Sequence, residues 1–164
     1  IMDMIFLIDF LNNKNNLNCK LIIQGEGEAI CLGELHKKVV ELRLSEFVFF
    51  NNWFVDPLLN HEFYEKIDVF LVTSFWEGGP ITALEAAAAG RLILGYDVGA
   101  MSDRFKHFQY IINQNFNELC ESGLAIVKLN FKDRKTYLFT IREYYKINLS
   151  NAKKSERLSE IIIE

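Results

Sequence analysis

Five short runs without a charged residue alternate with helix-patterned stretches, and that alternation constrains the fold more than any other feature of the sequence. Leu21-Ile22-Ile23, Phe47 to Phe50, Val69 to Thr73, Leu92 to Tyr96 and Tyr110 to Ile112 read as strands. Strands that stay apolar throughout are buried on both faces, which is the situation of a parallel sheet with helices on either side. Between the first two strands Leu32, Leu35, Val39 and Leu42 recur at 3-4-3 spacing, an apolar helical stripe that would lie against the sheet. A short helix is expected near Leu58 to Ile67, and helix from Phe116 to the end, broken near Asn148 to Asn151. The fold class is therefore α/β, a Rossmann-like parallel sheet flanked by helices on both faces. Residues 1–115 form its core and 116–164 a helical tail.

Length and charge narrow the function. The 164 residues suffice for one domain with a covered core, half of them are hydrophobic, and the net charge is -4. Such a balance gives no electrostatic reason to expect nucleic acid as a partner. Cys19, Cys31 and Cys120 are far apart and form no CxxC pair, so they read as small buried apolar residues in a reducing cytosol. Ile1 to Leu11 is about half the length of a membrane span and carries Asp3 and Asp9, so it reads as an amphipathic helix. His36, His61 and His107 show no metal-ligand spacing. Gly25-Glu26-Gly27 suggests a dinucleotide turn, but Ile30 stands where the third glycine belongs and Glu26 would oppose a pyrophosphate. A dehydrogenase does not fit.

In a doubly wound sheet, ligands collect at the carboxyl ends of the strands. The richest end is Thr73-Ser74-Phe75-Trp76-Glu77-Gly78-Gly79-Pro80, running into Ile81 to Gly90. Pro80 suits the first position of a helix and Gly90 its left-handed end. The amides of Ile81, Thr82 and Ala83 then lack intrahelical partners, and the helix dipole adds a positive field, which makes an anion site suited to phosphate. Glu85, in the second turn, leans back toward that end, and Glu77 borders it from the preceding loop. Two carboxylates beside a phosphate would repel it unless they served neutral hydroxyls. The residues thus point to a ligand with phosphate and polyol parts, although two carboxylates eight apart also suit a solvated helix surface.

The run Thr73-Ser74-x-x-Glu77-Gly78-x-Pro80-x-Thr82-x-x-Glu85-Ala86-x-x-x-Gly90 resembles the signature of retaining, GT-B-fold glycosyltransferases of family four, with further similarity over residues 17 to 112. Hexosyltransferases that build bacterial lipopolysaccharide or capsule look closest. The resemblance implies the carboxyl-terminal, donor-binding half of such an enzyme. Its substrate would be a nucleotide diphosphate-sugar such as a UDP-sugar, with no metal or other cofactor. Glu85 would hold the ribose hydroxyls and Glu77, the catalytic-site glutamate, the transferred sugar. Backbone amides of Gly78, Gly79, Ile81 and Thr82 would meet sugar and diphosphate, and Trp53 and Phe54 the base. It also implies a cytoplasmic enzyme that, at full length, associates peripherally with the inner face of the membrane and takes a glycan or lipid-linked acceptor through an amino-terminal domain. That domain, and the Arg and Lys that clamp the diphosphate, would precede Ile1, so the chain alone is expected to bind donor weakly and transfer nothing. Gly79 departs from the aromatic usual at its position. The alternative is a non-catalytic nucleotide-sugar-binding or interaction module of the same fold. Titration with UDP, GDP and their sugars separates the two.

Overall fold

The computed structural model describes residues 1–51 and 60–150. Helix α1 (Met2–Asp9) runs on through a wider π-helical turn, Phe10–Lys14, before β1 (Leu21–Gln24). There follow α2 (Ala29–Glu41), β2 (Val48–Asn51), α3 (Asn60–Glu65) and β3 (Val69–Val72). Then come α4 (Ile81–Ala88), β4 (Leu92–Tyr96), α5 (Met101–Phe105) and β5 (Ile112–Asn113). Two longer helices close the described chain, α6 (Phe116–Lys128) and α7 (Phe131–Tyr144), the latter continuing as a π-helical turn to Leu149.

All strand pairs among the described residues are parallel. Strand β1 pairs with β2 (Leu21 opposite Val48), and β4 lies between β3 (Val69 opposite Leu92) and β5 (Gly95 opposite Ile112). The hydrogen-bonded ladders form a two-stranded and a three-stranded sheet. Each sheet has its own core. Leu21, Leu35, Val39, Leu44 and Val48 pack on the first, while Leu92, Ile93, Leu94, Phe105, Leu119 and Ile126 pack around the second. Helix α1 joins them, because Ile5 and Ile8 belong to the first cluster and Leu7 and Leu11 to the second. A helix apolar on two sides is buried rather than amphipathic at a surface. All five residues of β4 are buried, as its central place requires.

Three further expectations need correction. The helical tail is not continuous to Asn148: it breaks at Leu129–Asn130, where the Asn130 side chain accepts from the Asp133 amide at 2.9 Å and starts a new helix. Strand β5 begins at Ile112 and not Tyr110, because Tyr110 has a φ of 74° and turns the chain first. Of the three cysteines only Cys120 is buried; Cys31 is exposed on α2 and Cys19 half-buried.

Candidate functional site

The candidate site grows out of the carboxyl end of β3. Thr73 is buried there, and its hydroxyl has no hydrogen-bond partner among the described residues. The chain then emerges: Phe75, Trp76, Glu77 and Gly78 are all exposed, Trp76 at 94%. Glu77 accepts a hydrogen bond from Ser74 Oγ at 2.9 Å, which fixes one carboxylate oxygen and leaves the other to solvent. Pro80 is buried with φ -61° and ψ 111°, an extended cap rather than the first helical residue, so α4 starts one position later than its proline suggested. Among the described residues no side chain caps this end. The amides of Ile81, Thr82 and Ala83 are therefore the first-turn donors that a helix cannot satisfy itself. At the other end Gly90 adopts the left-handed conformation, φ 65°, and its amide bonds the Ala87 carbonyl.

Glu85 is half-buried and tied down. The Tyr64 hydroxyl, from α3, donates to Glu85 Oε2 at 2.7 Å and lies 3.3 Å from the Thr82 carbonyl oxygen. One hydroxyl touching both places the carboxylate back along α4 toward its first turn. Burial, then the hydrogen bond and the charge of Glu85, push the Tyr64 phenol well above its ordinary 10.0. The folded chain holds this proton more tightly than the unfolded chain. The resulting stability is present below about pH 10 and declines as pH rises above it. Tyr64→Phe is expected to lower the unfolding free energy by ~1–2 kcal/mol in urea at neutral pH and to remove this alkaline decline. An unchanged midpoint and an unchanged pH profile would show that the bond does not form.

The loop after β4 buttresses the turn. Gly99, with φ 52°, lies so close to the Glu77 and Gly78 carbonyls that a side chain there would collide with both. Asp97 anchors the loop, accepting from Ser102 Oγ at 2.6 Å and from Gln114 Nε2 at 3.2 Å. Those bonds hold its carboxyl below the ordinary aspartate range. On α5, Arg104 donates from Nη1 to the Pro80 carbonyl at 3.3 Å. A cleft of about 470 Å³ is lined by Phe75, Tyr96, Asp97 and Gln114 among others. A second, of about 450 Å³, lies between α1 and α6. Neither Glu77 nor Glu85 lines either one. Glu77 and Gly78 lie on exposed surface, and among the described residues nothing is within 4 Å of where a Gly78 side chain would begin.

This strand–turn–helix arrangement sits within residues 4–136, over which the chain matches the family model described as Glycosyl transferases group 1. The chain belongs to that family. No curated protein matches the sequence. Among solved structures, the group 1 transferase chain is similar to the C-terminal domain of LpcC from Francisella tularensis. The TM-score is 0.79 at 16% identity, over 91% of this chain and 78% of that one. HepE from Anabaena, solved in complex with UDP and glucose, matches with a TM-score of 0.76 at 18% identity over 95% of this chain. TarM matches with a TM-score of 0.78 at 20% identity, again over 95% of this chain. At these identities the likeness establishes the fold, the carboxyl-terminal α/β half of a GT-B transferase. The chain spans 43% of HepE and 31% of TarM.

Within this group 1 transferase domain the residues singled out from sequence fall into three sets. Glu85 and Thr82 are brought together by Tyr64, and Glu77 and Gly78 by the Gly99 loop. Gly79 is packed against Arg104, while Ile81 is exposed at the start of α4. Trp53 and Phe54, expected beside the base, lie outside the described residues. Tyr64 and Arg104 were not singled out from sequence, and no local pattern marks them. The three histidines are all exposed. Among the described residues no cluster of His, Cys, Asp and Glu is arranged to hold a metal ion. No described helix is long and apolar enough to cross a membrane.

Proposed function

We propose that this domain binds a nucleotide diphosphate-sugar in the cytoplasm and presents it for transfer to a glycan or lipid-linked acceptor in cell-surface polysaccharide synthesis. The observation that carries the reading is the Glu85 carboxylate, half-buried, hydrogen-bonded by Tyr64 and folded back beside the uncapped first turn of α4. Oε2 is engaged by Tyr64, which leaves Oε1 and the remaining lone pairs to accept the two ribose hydroxyls. The diphosphate then lies at the positive end of the helix. Glu77, fixed by Ser74 on the exposed turn, accepts from hydroxyls of the sugar being transferred. Membership of the group 1 transferases supports the reaction class, and the fold shared with HepE, solved with UDP and glucose, supports the donor class.

Transfer with retention follows a front-face course in this reading. The bond from the anomeric carbon to the phosphate oxygen breaks, and the acceptor oxygen forms its bond on the same face. The departing phosphate oxygen takes the acceptor's proton. The anion-stabilising amides of α4 favour that departure, because charge accumulates on the diphosphate as the bond breaks. The acceptor and the second wall of the cleft would come from a further, amino-terminal domain.

Calorimetric titration of the chain with UDP, GDP and their sugars tests the donor reading. At least one nucleotide is expected to bind, and Glu85→Ala to weaken it by ~1.5–3 kcal/mol, about ten- to hundred-fold, through loss of a charged hydrogen-bond acceptor. Binding that ignores the substitution would remove Glu85 from the site, and no binding by any of these ligands would remove the reading.

A further inference from the structure

The Arg104 guanidinium occupies the space that Gly79 leaves empty. A Cβ on Gly79 would stand 2.9 Å from Arg104 Nη2, 3.3 Å from Cζ and 3.4 Å from the Ala100 Cβ. The other terminal nitrogen, Nη1, donates to the Pro80 carbonyl at 3.3 Å. The guanidinium is thus laid against the backbone of residues 79 and 80, immediately ahead of the first turn of α4. Arg104 is half-buried, and no carboxylate among the described residues forms an ion pair with it.

A lone cation is out of place there. The amino end of a helix is the positive end of its dipole, where carboxylates are favoured and cations are not. Here an arginine is seated at that end, which no described side chain caps, and most of its five N–H donors are unspent on described residues beyond the single bond to Pro80. The two positive features repel each other but would jointly attract an anion set between them. The planar fork of a guanidinium matches phosphate oxygens in pairs, which a point charge does not.

We propose that Arg104 is a phosphate-contacting residue of the nucleotide diphosphate site, and that residue 79 is glycine because any side chain would displace the guanidinium. The inference rests on the donor reading above and adds to it a cationic contact to the diphosphate from this chain's own residues. It separates Arg104 from a merely structural role, in which the arginine would tie α5 to Pro80 and touch no ligand.

The test compares UDP and GDP with uridine and guanosine on the wild type, Arg104→Gln and Gly79→Ala, with affinities read by nuclear magnetic resonance titration. Arg104→Gln is expected to weaken the diphosphate about ten-fold or more, to flatten its salt dependence, and to leave the nucleoside within about two-fold. Gly79→Ala, which keeps the arginine but shifts it, is expected to follow the same pattern. Equal losses for nucleoside and diphosphate, or an unchanged diphosphate affinity, would make Arg104 a strut and overturn the proposal while leaving the donor reading intact. Absence of binding to the wild type by all four would overturn both.

Discussion

Gly99→Ala is expected to destabilise the domain by ~2–5 kcal/mol and to lower nucleotide affinity with it. Two costs add. A left-handed backbone costs a residue with a Cβ about 1–2 kcal/mol, and Gly99 has φ 52°. Forcing a methyl into filled space costs about 1–3 kcal/mol more. The space is filled by backbone: the Cβ would overlap the Glu77 carbonyl oxygen and stand 2.5 Å from the Gly78 carbonyl oxygen and 2.7 Å from its carbon. Backbone cannot swing aside as a flexible side chain can. Either the loop from Asp97 to Ala100 lifts, breaking the Asp97 links to Ser102 and Gln114, or the Glu77–Gly78 turn moves. Both displace the turn that carries Glu77. Urea unfolding measures the first effect and UDP or GDP titration the second. A variant within 0.5 kcal/mol of the wild type would show that the loop does not seat on the turn.

What the sequence revealed, and what it did not, divides by range along the chain. The strands were legible because an uncharged apolar run is a local property; β4 lies where Leu92 to Tyr96 places it. Helix α4 was legible because Pro80 and Gly90 bracket it, although proline at the cap rather than inside the helix moved its start by one residue. The break at Leu129–Asn130 was also written locally, as Asn130 followed three residues on by Asp133, but the apolar pattern on either side conceals it. The site itself mixes ranges. That Glu85 leans toward the first turn of its own helix follows from helical geometry. That Tyr64 meets it from 21 residues away does not, and neither does the meeting of Arg104 with Gly79. Such pairs arise when βα units stack side by side, and no periodicity within one unit encodes its neighbour's side chains.

Asn113→Asp, nearly identical in shape, is expected to cost ~3–5 kcal/mol at neutral pH, the order of an uncompensated buried charge. Asn113 is 2% exposed, and every polar atom of its amide is engaged. Nδ2 donates to the Gly95 carbonyl at 3.0 Å and the Tyr110 carbonyl at 3.1 Å, while Oδ1 accepts from Ser122 Oγ at 2.7 Å. A carboxylate would turn lone pairs toward two carbonyl oxygens and keep only the serine as donor. Burial and that repulsion raise the folded pKa of the new acid above its unfolded value near 3.9. The extra cost is then smallest below about pH 4, where both states are protonated, grows as pH rises through the gap, and levels off above the folded pKa. Urea unfolding of wild type and variant at pH 5 and pH 8 reads this directly. Asn113→Leu separates shape from charge, since it forfeits the same hydrogen bonds but brings no pH dependence. An aspartate variant whose deficit is small and independent of pH would mean that the amide is not wired as described. Because Asn113 stands opposite Tyr96 at the end of the β4–β5 ladder, its loss would also loosen Gln114 from Asp97. The damage would then travel through the Asp97–Ala100 loop to the turn bearing Glu77, and nucleotide binding should weaken even though Asn113 is placed nowhere near the ligand.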